Sequence, residues 1–259
     1  MASPVEQFLL FGDSITQQSG GGFAGPLQDA YIRRLDVVNR GFSGYNTKMA
    51  LKVLPNIIPS PDHARIRFLF IFFGANDASL PDAPNRQHVP IDDFKHNLET
   101  IVEHPLIVAH KPRIILVAPP PLNEHAIKLA FPNEKLARVA ATTKAYADAT
   151  CEVGVKLGVP VINLWTAFMA RAGWTVAALK DDPLPGSMSL VPNDALAELL
   201  SDGLHFTSAG YKIVFEEVMK VIAEKWPDQL PESLQTVFPL WNDKAAWDTF
   251  DAVASGTQS

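Results

Sequence analysis

The sequence predicts an α/β fold built on a five-stranded parallel sheet with helices on both faces. Three observations lead there. Short apolar runs bounded by turn residues recur along the chain, and amphipathic helical patterns lie between them. The strongest run, Phe68-Leu69-Phe70-Ile71-Phe72-Phe73, has no polar alternation, as in a strand covered on both faces. Strands alternating with helices join by right-handed crossovers into a parallel sheet.

The elements follow in order. Val5–Phe11 reads as the first strand and stops at Gly12-Asp13-Ser14. Pro26–Leu35 reads as a helix and Asp36–Arg40 as a short second strand. Thr47–Leu54 is helical, and Arg67–Phe73 is the third strand. Ile91–Glu103 is a helix that ends before Pro105, because the residue ahead of a proline is pushed out of helical geometry. Arg113–Ala118 is the fourth strand. Asn133–Leu157 reads as one long helix with Asn133 at its N-cap and Leu136, Val139, Ala140, Thr143 and Ala147 along one face. Pro160–Leu164 is the last strand, and Thr207–Trp226 closes the body as a helix with Tyr211, Val214, Phe215, Val218 and Ile222 inward.

Two stretches break the alternation. Ala118–Pro132 carries four prolines directly after a strand. Pro227–Ser259 follows the last helix; its Val237, Phe238, Leu240, Trp241, Trp247 and Phe250 are too apolar for plain disorder. The expected organisation is one body, residues 1–226, and a packing arm, residues 227–259, that is not an independent domain. Its part Pro227–Phe250 is expected to lie over the body or over a second subunit of a homodimer, and to shape the mouth of the site.

Composition narrows the function classes. The chain has 259 residues with 22 Lys+Arg against 28 Asp+Glu, a net charge of −6, so no basic surface is on offer to a nucleic acid. The single cysteine, Cys151, excludes an internal disulfide and a four-cysteine zinc site. No apolar run approaches the roughly 20 residues of a membrane-spanning helix, and no basic residue precedes the short N-terminal apolar stretch. A cytoplasmic protein is the expectation.

In an open parallel sheet, ligands sit beyond the carboxyl ends of the strands, which is where chemistry is to be sought. Ser14, in Phe11-Gly12-Asp13-Ser14-Ile15-Thr16, lies at such an end. A serine hydroxyl becomes nucleophilic when a base takes its proton, and a turn backbone N–H can face a developing oxyanion. In Ser201-Asp202-Gly203-Leu204-His205, a carboxylate three residues before an imidazole can fold back on the ring and leave the other nitrogen as base. Asn76, in Phe73-Gly74-Ala75-Asn76-Asp77, is a neutral donor at the end of the strongest strand. Gly44, in Gly41-Phe42-Ser43-Gly44-Tyr45, can present a bare backbone N–H just before a helix. Each fragment alone also reads as an ordinary turn.

Together and in this order, Gly-Asp-Ser, Gly, Gly-x-Asn-Asp and Asp-x-x-His resemble the blocks of the SGNH (GDSL-type) hydrolases, over about Val5 to Trp226. The surroundings of Ser14, of residues 39–51 and of residues 202–211 look most like the isoamyl-acetate-hydrolysing esterase branch. The resemblance implies a flavodoxin-like, three-layer α/β/α hydrolase without cofactor or metal. It assigns Ser14 as nucleophile, His205 as base, Asp202 as orienting carboxylate, and the Ser14 N–H, Gly44 and Asn76 as oxyanion donors. One departure is Ile15, where the family usually has leucine. The implied substrates are small esters with short- to medium-chain aliphatic acyl groups; sugar acetates, lysophospholipids and thioesters are alternatives within the family.

The loops Ser79–Pro90 and Pro119–Pro132 follow strand ends, so Leu80, Leu122, Ile127, Leu129 and Phe131 are candidates for an apolar substrate pocket. Competing readings are open. Ser43 sits near a Gly-x-Ser-x-Gly pattern, with Tyr45 in place of the second glycine. Asp13, Asp77, Asp202 and His205 could ligate a metal in a phosphoesterase, although no His-x-His or His-Glu-x-x-His signature is present. A non-catalytic flavodoxin-like binder fits the architecture alone. Ser19–Gly25 lacks the ending of a phosphate loop and reads as a loop widening the mouth of the site.

Overall fold

In the computed structural model, which describes residues 5–175 and 183–254, five parallel strands form one sheet in the order β2-β1-β3-β4-β5. They are β1 (Glu6–Gly12), β2 (Leu35–Gly41), β3 (Ile66–Phe72), β4 (Arg113–Ala118) and β5 (Val161–Asn163). The pairing brings Gly12 level with Gly41 on one side and with Phe72 on the other, so the three strands end together.

Alternation sorts the side chains into two cores. Phe8 and Leu10 of β1 and Phe68, Phe70 and Phe72 of β3 face one side. There they meet α2 (Ala24–Ala30), α8 (Leu164–Arg171) and α10 (Ser208–Lys225) through Leu27, Phe168, Val214 and Val218. Leu9, Phe11, Leu69 and Ile71 face the other side and meet α3 (Thr47–Ile57), α4 (Ile91–Val102) and α7 (Ala140–Leu157) through Leu54, Phe94, Leu98, Tyr146 and Val153. Helices thus cover both faces, as the unbroken apolar run predicts. Phe8 stacks on Phe68 at 4.8 Å between centroids, and Phe11 meets Phe73 edge-on at 4.9 Å. Truncating any of these buried rings to alanine costs about 3–5 kcal/mol.

Several expected boundaries shift. The long helix expected from Asn133 begins only at Ala140, and Asn133 caps nothing: residues 133–139 form a loop. Val139 is extended (φ −132°, ψ 155°), and the buried Glu124 carboxylate takes the first helical N–H, that of Ala140, at 2.7 Å. The proline-rich stretch before it contains a helix, α6 (Glu124–Ala130), capped by Asn123. The helix expected over Pro26–Leu35 ends at Ala30, and Arg33 (φ +64°) turns the chain into β2. Besides α6, the short helices α1 (Ser14–Gln17), α5 (Pro105–Val108), α8 and α9 (Asp194–Leu199) lie outside the expected set.

The C-terminal stretch crosses the amino ends of the strands. Tyr31 donates to the Gln229 carbonyl (2.9 Å), Arg34 to the Leu234 carbonyl (3.0 Å), and the Val237 N–H to the Arg33 carbonyl (2.9 Å). Leu230 and Leu234 pack on the first core. A last helix, α11 (Lys244–Ala254), follows; residues 255–259 of the expected arm lie outside the described residues. The expectation that the arm shapes the mouth of the site is corrected for its described residues: none of them lines the cleft, and Tyr31, Arg33 and Arg34, which hold them, stand just before β2, at the end of the sheet opposite Ser14. Among the described residues, no helix is long and apolar enough to cross a membrane.

Candidate active site

β1 delivers Ser14 to the carboxyl edge of the sheet. Asp13 caps α1 by accepting the Ile15 N–H at 2.9 Å. Ser14 is the first residue of that helix, so its own N–H has no intrahelical acceptor. The helix lies flush on the strand ends because glycines stand beneath it. A Cβ on Gly41 would come 2.0 Å from the Gln17 nitrogen, and one on Gly12 would come 2.6 Å from the Phe72 carbonyl oxygen. Asn39 braces the arrangement, donating to the Thr16 carbonyl (2.8 Å) while its oxygen accepts the Gly41 N–H (2.9 Å).

His205 arrives from the opposite end of the sequence. Leu200 and Phe206 form an isolated antiparallel bridge, and the Ser201 N–H donates to the His205 carbonyl (2.8 Å). The loop between them is a closed turn. Gly203 takes φ +89°, and a Cβ there would stand 2.3 Å from the Asn123 carbonyl oxygen, so the turn packs tightly against the start of α6. Asp202 Oδ1 accepts the N–H groups of Leu204 (3.0 Å) and His205 (2.8 Å), and Oδ2 lies 2.7 Å from His205 Nδ1. Burial alone would raise the Asp202 pKa, but the hydrogen bonds from the His205 ring, the His205 N–H and the Leu204 N–H outweigh it. The carboxyl is held well below its ordinary range. An ionised carboxylate only accepts, which puts the ring proton on Nδ1 and leaves Nε2 as acceptor. Nε2 lies 2.9 Å from Ser14 Oγ.

Ser14, Gly44, Asn76, Asp202 and His205 all line one cleft of about 340 Å³. Gly44 takes φ +80°, a conformation that glycine adopts without strain. Asn76 follows Gly74 (φ +120°) at the end of β3, is 4% exposed, and donates one amide hydrogen to the Tyr45 carbonyl at 2.8 Å. Among the described residues, its second amide hydrogen has no acceptor. The arrangement can take the proton of a serine hydroxyl and offer neutral donors to negative charge.

Two carboxylates lie beneath it. Asp13 and Asp77 are fully buried, and one oxygen of each, Oδ2, has no hydrogen-bond partner among the described residues. Burial pushes the Asp13 pKa up to about 7 and that of Asp77 up to about 6. Asp77 is otherwise used to start α3, accepting both the N–H and the hydroxyl of Thr47. Among the described residues, no group of three or more His, Cys, Asp or Glu side chains is gathered as a metal site.

The remaining candidates divide. Ile127 and Phe131 line the cleft. Leu122 does not: it is fully buried, pointing into the protein. Nor does Leu129, which is 84% exposed on the outer side of α6. Leu80 is also outside the lining; its N–H ties the Ser79–Pro90 loop to the Ala137 carbonyl (2.7 Å), while Pro84, Asn85 and Gln87 of that loop form the rim. Ser19–Gly25 contributes nothing to the lining, since Ser19 bonds the Thr16 carbonyl and Gly22 packs against Tyr211. Ser43 lines the cleft, but the hydrogen bond to His205 is made by Ser14.

One residue at the site has no signal in the sequence. Arg138 donates to the Ala75 carbonyl (2.6 Å), to Asn76 Oδ1 (2.7 Å) and to Gln87 Oε1 (2.6 Å). Sequence periodicity puts it on a helix; the structure puts it in the loop ahead of α7.

Known proteins carry the same framework. The model of the GDSL-like lipase/acylhydrolase family matches residues 10–213. The mouse isoamyl acetate-hydrolyzing esterase 1 homolog is 36% identical over 241 residues, which cover 91% of this chain and 86% of that protein. Among solved structures, a lipase/acylhydrolase from Enterococcus faecalis superposes with a TM-score of 0.60 at 24% identity, covering 90% of this chain and 98% of that one. A variant of an acetyl-xylooligosaccharide esterase from Geobacillus superposes with a TM-score of 0.58 at 21% identity, covering 87% and 97%.

Proposed function

The chain belongs to the GDSL-like lipase/acylhydrolase family, and from that premise we propose that it hydrolyses small carboxylic esters through an acyl-enzyme formed on Ser14. The observation that carries the reading is the relay from Ser14 Oγ to His205 Nε2 (2.9 Å) and from His205 Nδ1 to Asp202 Oδ2 (2.7 Å), opening into the cleft. Ser14 Oγ attacks the ester carbonyl carbon as its proton passes to His205 Nε2. The carbonyl oxygen becomes an oxyanion facing the Ser14 N–H, the Gly44 N–H and the Asn76 amide. The C–O bond to the alcohol breaks, and the alcohol leaves with the proton from His205. Water then repeats the sequence at the acyl carbon, releasing the acid and restoring Ser14. Asp202 holds the ring orientation and stabilises the imidazolium that forms.

The cleft supports a small substrate. Its volume of about 340 Å³ is at the low end for small-molecule sites. Ile127, Phe131, Leu136 and Leu204 supply apolar contact for an acyl or alkyl group. Acetyl and other short aliphatic esters are the leading class.

Sugar acetates are a second reading. Asn85 and Gln87 place neutral hydrogen-bonding amides on the rim, and the Geobacillus neighbour is described as acting on acetylated xylo-oligosaccharides. A panel of acetyl-to-octanoyl esters, on simple and on sugar alcohols, separates the readings. The expected result is the highest kcat/KM on short acyl esters of simple alcohols. No turnover of any ester, or full turnover by Ser14→Ala, would overturn the proposal.

A further inference from the structure

We infer that Arg138 is a positioning residue for ester cleavage, holding Asn76 directly and Gly44 through Gln87 in the orientation that receives the oxyanion. The inference rests on the esterase reading above and adds a residue to it.

The bonds form a closed ring. Arg138 Nη2 donates to Asn76 Oδ1 (2.7 Å) and to Gln87 Oε1 (2.6 Å). Gln87 Nε2 donates to the Gly44 carbonyl (2.9 Å), and Asn76 Nδ2 donates to the carbonyl of the next residue, Tyr45 (2.8 Å). A guanidinium has donors only, so both amides must turn their oxygens towards it. That fixes which way the Asn76 NH₂ faces. Nε closes the clamp on the Ala75 carbonyl at 2.6 Å, so the backbone and the side chain of the Asn76 segment are held by one planar group.

Among the described residues, all the hydrogen bonds of Arg138 go to neutral oxygens rather than to a carboxylate. Burial draws the guanidinium pKa down, opposed by the charges of Asp13, Asp202 and Asp77; from its ordinary value, well above neutrality, the group stays cationic. A positive charge whose direct partners are neutral therefore sits behind the amide that meets the oxyanion, and the carboxylates act on it only through space. It polarises that amide, and because the donors are already aligned, no reorganisation is needed as negative charge develops.

The test is a double-mutant cycle on 4-nitrophenyl acetate with the full chain. Arg138→Met is expected to lower kcat roughly 10²-fold, the scale of losing one oxyanion donor, with KM changed by less than about threefold. In an Asn76→Ala background the same substitution is expected to cost less than about tenfold, because residues acting as a unit are not additive. Equal losses in both backgrounds, an unchanged kcat, or a rise in KM alone would overturn the inference. If Arg138→Met does not fold by circular dichroism, Gln87→Leu takes its place: kcat is expected to fall roughly tenfold at constant KM through Gly44, and an unchanged kcat refutes the inference. Ser14→Ala is run alongside. If it remains active, the esterase reading itself fails. If it is inactive while Arg138→Met keeps wild-type kcat, only the role of Arg138 fails.

Discussion

Asp202 holds His205 at two points: its Oδ2 lies 2.7 Å from ring Nδ1, and its Oδ1 accepts the His205 backbone N–H at 2.8 Å. One carboxylate thus sets both the backbone position and the ring tautomer of the proposed base. Replacing it by asparagine keeps the shape but offers the ring an NH₂ group, which favours the wrong tautomer. Asp202→Asn is expected to lower kcat by roughly 10³–10⁴, with a thermal midpoint near that of the wild type. Steady-state kinetics and a melting curve check both halves; a loss below tenfold would show that Asp202 does not orient the base.

Ser14 and Ser43 both line the cleft, but only Ser14 is bonded to His205. A fluorophosphonate is expected to modify Ser14 alone, and His205→Ala is expected to slow that labelling greatly. Peptide mapping by mass spectrometry decides it. A label on the peptide bearing Ser43 would reassign the nucleophile.

Asp13 is buried, and its pKa is pushed up to about 7 from an ordinary 3.8. The folded state therefore binds its proton more tightly than the unfolded chain does. Stability falls as pH rises from about 4 towards 7, by at most about 1.4 kcal/mol per pH unit, and is level above that. Asparagine cannot ionise, and its oxygen can still cap α1. The melting temperature of Asp13→Asn relative to the wild type is expected to improve between pH 5 and pH 7 and to level off above that. A constant or worsening difference from pH 5 to pH 7 would refute the assignment.

Tyr31, Arg33 and Arg34 tie the C-terminal stretch to the amino ends of the strands, away from the cleft. Truncation after Trp226 uncovers the core contacts of Leu230 and Leu234. The melting temperature is expected to drop, while the ranking of ester chain lengths is retained. A changed ranking would return the arm to the active site.

Much of the site was legible because its signals are local. Asp202 and His205 are three residues apart, Ser14 follows a strand directly, and Asn76 follows the least polar strand. The position of a chemical group at a strand end can be read once the strand is read. The rim was less legible. Leu122 and Leu129 looked alike in sequence, yet one is fully buried and the other 84% exposed: Leu122 lies in the loop ahead of the Asn123 cap, while Leu129 stands on the outer side of α6. Helical spacing carried Arg138 into an expected helix. Its bonds to Ala75, Asn76 and Gln87, residues far off in sequence, tie the loop ahead of α7 to the segment after β3 instead.

By itself the sequence determined the parallel α/β class, the order of the strands along the chain and the residue types waiting at their carboxyl ends. Strand periodicity, helix periodicity and close spacings are written within short windows, and the burial they demand leaves few arrangements. Only the tertiary structure decided that residues 14 and 205 meet at 2.9 Å, that Arg138 clamps Asn76, and that the arm lies at the far end of the sheet. Those are choices among distant partners. They depend on how loops dock once the sheet has formed, and no short window of sequence encodes that.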